Sequence, residues 1–133
     1  MTGFQTARLP IEPSYPAPDG SEVRVLLGVG GGGMAHFQLG PGLTSRAAAH
    51  RTVDEIWYVL SGRGEMWRAQ EGAQEEVVAL EPGVCLTIPV GTRFQFRCLG
   101  DEPLAAIGVT MPPWPEDREE AYEVEGRWVP TVV

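Results

Sequence analysis

His50 and Glu55, five residues apart, offer the plainest chemistry in this sequence. An imidazole beside a carboxyl group is the equipment of a general acid–base site when burial tunes the carboxyl's ionisation. The pair has a bland role as well, because a carboxylate inside an apolar interior needs a hydrogen-bonded partner or it takes up a proton. Arg46 adds a guanidinium that can clamp a carboxylate or phosphate on a ligand, or simply snorkel to solvent from a strand start. Trp57, Phe94 and Phe96 supply planar apolar surface, suited to an aromatic ligand or to filling a core. No sequence feature gives Cys98 the cation that a reactive thiolate needs, so it reads as a small residue of the interior.

Short strands have to hold these side chains. Ser21 to Leu27 and Met34 to Leu39 read as the first two, with Gly28 to Gly33 as a loose hairpin connection. After the Gly40-Pro41-Gly42 turn, Leu43 to His50 leads into a strand from Glu55 to Leu60. Gly64 to Arg68, Glu76 to Leu80, Val84 to Ile88, Phe94 to Cys98 and Leu104 to Thr110 follow, separated by Gly and Pro turns. Roughly eight or more short strands at even spacing is what a double-sheet roll or small barrel requires. The one helical stretch expected is short and acidic, Glu116 to Ala121, behind Pro115.

Period-two parity assigns the faces. Val84, Leu86 and Ile88 fall together, as do Phe94, Phe96 and Cys98, and these bulky apolar sets point inward with Cys85, Gln95 and Arg97 outside. Arg46, Ala48 and His50 share one face, and Glu55, Trp57 and Val59 share another. His36 alternates with Phe37 and falls with Gln38 on the more polar side of its strand.

Composition narrows the function classes. The 133 residues suit one domain with a real core, and 43% hydrophobic content is enough to order it. Residues 1–20 read as an extended arm, since Pro10, Pro13, Pro16 and Pro18 exclude a helix, with Phe4, Leu9 and Ile11 as its anchors. Residues 21–112 make the barrel and 113–133 an acidic tail whose Trp114 and Trp128 pin it down. The net charge of −8 repels phosphate backbones and anionic membranes, so neither nucleic acid nor a membrane is expected as a partner. Two cysteines and no signal-peptide pattern point to a cytoplasmic protein with reduced thiols.

The glycine run Gly28-Val29-Gly30-Gly31-Gly32-Gly33 satisfies a dinucleotide-binding pattern, but the following Met34 to Gly42 cannot form the helix that would hold a pyrophosphate. A different pattern is more specific. Ala48-Ala49-His50, then Glu55 and Gly62, is followed by Gly83, Pro89-Val90-Gly91, Phe94 and Cys98. These two glycine-punctuated blocks resemble the paired motifs of the cupin family, over about two-thirds of the chain. The resemblance implies an all-β fold, an antiparallel double-stranded β-helix or jelly-roll barrel. Metal-binding cupins use three His and one Glu to hold iron, manganese, zinc, nickel or copper. The corresponding positions here hold Ala48, His50, Glu55 and Phe94, and Cys98 stands where the family has Asn.

Half of the ligand set is therefore replaced by apolar groups, and no cofactor is the preferred expectation. A divalent transition metal would need His50, Glu55 and a substitute such as His36. Some cupin epimerases and isomerases work without metal, and the expected function is of that broad kind: binding or transforming a small molecule in an apolar pocket. Glu55 would be the acid–base group, His50 its partner, and Arg46, Trp57, Phe94, Phe96 and Cys98 the ligand-binding wall. The alternatives are a metal-dependent oxygenase or isomerase, and a non-catalytic sensor or structural barrel. The family resemblance and the arm together suggest a homodimer.

Overall fold

The computed structural model describes residues 3–115 and 119–132. Eleven strands and no helix form among the described residues. They are β1 (Tyr15–Pro16), β2 (Glu22–Val29), β3 (Gly32–Leu39), β4 (Ala48–His50), β5 (Asp54–Ser61), β6 (Gly64–Ala69), β7 (Glu76–Leu80), β8 (Cys85–Ile88), β9 (Arg93–Cys98), β10 (Leu104–Met111) and β11 (Ala121–Glu123). One antiparallel sheet has the order β1-β2-β3-β10-β5-β8, and the other β11-β4-β9-β6-β7.

Alternation along each strand builds the space between the sheets. On β5, Glu55, Trp57 and Val59 are buried while Asp54, Ile56 and Tyr58 face out. On β9, Phe94, Phe96 and Cys98 turn inward, meeting Leu86 and Ile88 from β8. Leu39, Met66, Leu80 and Leu104 complete a core that lies between the two sheets. This is the expected all-β double-stranded β-helix, with one qualification. The strands divide into two sheets that are not closed into a barrel by a continuous ladder, so the interior has open seams.

Several local features differ from the sequence reading, each because a tertiary partner outweighs local preference. The glycine run is mostly strand: Gly28 pairs with Gly33 and Val29 with Gly32, leaving only Gly30 and Gly31 to turn. Of the helix expected over Glu116 to Ala121, residues 116–118 lie outside the described residues. Glu119 and Glu120 are irregular, and Ala121 opens β11, which pairs with β4. The arm is held by polar groups and not by its apolar ones, since Phe4 and Ile11 are exposed. Arg24 instead donates to the carbonyls of Pro10 and Ile11, and Ser14 exchanges bonds with Val23 and Val25. Gln95 and Arg97 do face away from the main core, but the returning chain covers them. Trp128 packs over Arg97 and joins Trp67, Ala47 and Ala69 in a second apolar cluster.

Candidate functional site

Two short connections position His50 and Glu55. His50 ends β4 and Glu55 lies at the start of β5, so the loop from Arg51 to Val53 sets the distance between them. Glu120 holds that loop: its carboxylate accepts from the Thr52 hydroxyl and from the amides of Thr52 and Val53. Burial pushes the Glu120 carboxyl up, but the Thr52, Arg51 and Val53 donors outweigh it and hold its pKa below the usual range. From the other side, the Pro89-Val90-Gly91 turn donates through the Gly91 amide to the His50 carbonyl and through the Val90 amide to Asp54. Gly91 has φ of +80°, a conformation that glycine adopts without a side-chain clash. The two sequence blocks thus meet directly.

The two functional groups are buried together: His50 is 4% exposed and Glu55 3%. Nε2 of His50 lies 3.6 Å from Oε1 of Glu55, too far for a hydrogen bond. Burial decides the protonation of both. It pushes Glu55 up to about 8, reinforced by the charge of Asp19 and only partly offset by the Trp57 indole. It lowers His50 to about 4, against a smaller opposing pull from Glu120. At neutral pH the pair is a neutral acid beside a neutral imidazole. It is not a salt bridge, and it has the protonation states that a general acid and its neighbour would hold in an apolar site.

Glu55 opens onto a cavity of about 640 Å³. Its walls come from three places: Tyr15 to Pro18 of the arm, the inward residues of β2 and β3 such as Val23 and Phe37, and Pro113 to Pro115 after β10. Gly108 of β10 makes room beside the carboxyl. A Cβ there would lie 2.6 Å from Oε2 of Glu55 and 2.7 Å from the Phe37 ring. Phe37 in turn stacks on Trp57, with ring centres 5.3 Å apart.

The residues singled out from sequence divide into three groups. His50 and Glu55 come together, but only Glu55 lines the cavity. Trp57, Phe94, Phe96 and Cys98 lie behind it in the core and do not form its wall. Cys98 donates its thiol to the Glu102 carbonyl. Arg46 turns away toward the arm, where it donates to the Pro18 carbonyl and its charge acts on Asp19, so it clamps chain and not ligand. His36 is buried on the opposite face of β3, cross-strand from Arg24, and cannot join the pair. Phe37, Trp114 and the arm residues are the wall that sequence reading missed. Phe37 carried the right parity, whereas the arm and the segment after β10 have no periodicity that could reveal a facing surface.

The donor set does not fit a metal ion. Ala48 and Phe94 face each other across β4 and β9, both buried and without a donor atom. The imidazole of His50 is flanked edge-on by Phe94 and Trp114, at 5.2 and 5.3 Å. Among the described residues, no group of three His, Cys, Asp or Glu side chains is placed to hold one.

Residues 35–110 match the family described as Cupin domain. Solved structures share this fold at low identity. The capsular polysaccharide assembling protein CapF from Staphylococcus aureus is 19% identical, with a TM-score of 0.72 over 83% of this chain and 33% of its own. Oxalate decarboxylase from Bacillus subtilis, which has Mn(II) centres, is 18% identical, with a TM-score of 0.69 over 85% of this chain and 30% of its own. An uncharacterized conserved protein with a double-stranded β-helix domain, from Klebsiella pneumoniae, is 20% identical. Its TM-score is 0.65 over 84% of this chain and 90% of its own. The chain thus spans about a third of the first two proteins. These likenesses speak to the fold alone. Among curated proteins, none matches the chain.

Proposed function

This chain belongs to the cupin family, and we propose that it binds a small, largely apolar molecule in the cavity beside Glu55, without a conventional metal centre. The observation that carries this reading is the Glu55 carboxyl, 3% exposed, opening onto a cavity of about 640 Å³ with predominantly apolar walls. If the bound molecule is also transformed, Glu55 is the acid–base group and His50 tunes it. Arg46 and the buried aromatics support the site from outside its wall. The homodimer and the cytoplasmic setting remain part of the proposal, the latter in keeping with two free cysteines. No helix among the described residues is long and apolar enough to cross a membrane.

A neutral apolar fluorophore, N-phenyl-1-naphthylamine, tests the cavity. It is expected to bind with enhanced emission, and Ala35→Phe, which fills the cavity from β3, is expected to abolish that signal while the thermal transition is retained. Equal binding by the variant would remove the cavity from the proposal. A metal-dependent reading makes the opposite demand: protein purified without chelator would carry stoichiometric iron, manganese, nickel, zinc or copper by elemental analysis.

A further inference from the structure

We infer that the cavity selects amines: its ligand is a cationic ammonium group on an apolar or aromatic body, held by Glu55 as carboxylate, with one proton released on binding. This rests on the cavity being a binding site, as proposed above, and adds the chemical class of what enters it.

Three observations point to a cation. Among the described residues the cavity wall contains no Lys, Arg or His, so an anionic ligand would find no counter-charge from them. The guanidinium of Arg46 is turned to the arm and to Asp19. Next, a donor already flanks the Glu55 carboxyl. The indole Nε1 of Trp57 is buried and lies beside Gly108 together with Oε2, where it favours the carboxylate over the acid. His50 Nε2 faces Oε1 from 3.6 Å. A carboxylate accepts from the indole N–H more strongly than a neutral acid does. What the carboxylate lacks is a positive charge to offset its burial, and the ligand is the one component able to supply it. Finally, Phe37 and Trp114 place aromatic rings on the wall, and ring faces attract ammonium groups. The net charge of −8 favours the approach of cations from solution.

The exchange balances. Glu55 in the free protein is a neutral carboxylic acid, and a ligand arriving as R–NH3+ pairs with the carboxylate while the carboxyl proton leaves to buffer. The groups whose charge faces Glu55 are Asp19, which resists its ionisation, and His50, which stays neutral above about pH 4. Affinity for an ammonium ligand should therefore rise by about tenfold per pH unit from pH 6 to 8 and level off above.

Three probes with the same ring separate the possibilities: 2-phenylethylamine, neutral 2-phenylethanol and anionic phenylacetate. Calorimetry on the unaltered protein at pH 7, in phosphate and in Tris, should show close to one proton released per amine bound. At pH 8.5 the amine should bind at least tenfold more tightly than the alcohol, and phenylacetate more weakly than either. Glu55→Gln, which keeps the shape of the side chain, should erase the preference for the amine over the alcohol and the proton release with it. An alcohol that binds as well as the amine, or amine binding without proton release, overturns the inference and leaves the cavity reading standing. So does a fluorophore that binds while the amine does not at either pH. Failure of every probe, the fluorophore included, overturns the proposed function itself. The proton count needs no variant, so it decides the matter even if Glu55→Gln does not fold.

Discussion

Burial moves the two halves of the His50–Glu55 pair in opposite directions, and stability inherits both shifts. Glu55 has a folded value of about 8 against an ordinary 4.5, so the folded state holds a proton that the unfolded chain gives up. Its contribution is complete below pH 4.5 and is lost as pH rises through about 8. His50, lowered from 6.5 to about 4, contributes above pH 6.5 and loses that contribution as pH falls toward 4. Between about pH 4.5 and 6.5 the two slopes cancel, and from pH 6.5 to 8 Glu55 is the member of the pair that acts, its share of stability falling by on the order of 2 kcal/mol over that step in denaturant titrations. Glu55→Gln should remove the decline. Its stability relative to the unaltered protein should improve by on the order of 4 kcal/mol between about pH 4.5 and 8.5. A variant that keeps the decline would place its origin elsewhere.

Among the elements, irregular segments do most of the positioning. Glu120 sets the loop before Glu55, and the tail beyond it is tied down by β11, by backbone bonds to Ala47 and Thr44, and by the Gln95 side chain. Gln95 donates to the carbonyls of Ser45 and Trp128 and accepts from the Trp128 amide. The bond to Ser45 is buried and the two to Trp128 are partly buried, so their loss leaves backbone groups short of partners. Gln95→Ala should cost about 2–3 kcal/mol and speed amide exchange at residue 128 before it does so in β5 or β10. Uniform acceleration across the chain would mean that the tail and the sheets open as one unit.

For the molecule as a whole, what remains uncovered is the outer face of the first sheet. Ile56, Tyr58 and Leu60 form an outward row at 40, 50 and 44% exposure, and Phe4 and Ile11 of the arm are exposed as well. Rows of this kind are what a second copy covers in a homodimer. Sedimentation should find a dimer for the unaltered protein and a folded monomer for Tyr58→Glu, because a charge in the middle of an apolar interface has no partner. A monomer in both cases would end the homodimer proposal.

The positions of most strands, the inward faces of β5, β8 and β9 and the nearness of His50 to Glu55 were readable along the chain because each rests on short-range regularity. Period-two alternation decides which residues of β5, β8 and β9 face inward, and Gly and Pro turns decide where they stop. The cavity was not readable in this way. Its wall joins the arm, β3 and the segment after β10, which are distant in sequence, and neither the arm nor that last segment has a period to betray a face. The glycine run shows the same limit on a small scale: it becomes strand because a cross-strand partner stands opposite, and no local preference announces that. Protonation was likewise beyond sequence. Residue type supplied an acid and an imidazole, but only enclosure by Phe37, Trp57, Phe94 and Trp114 removes the water that would have let each take its ordinary charge.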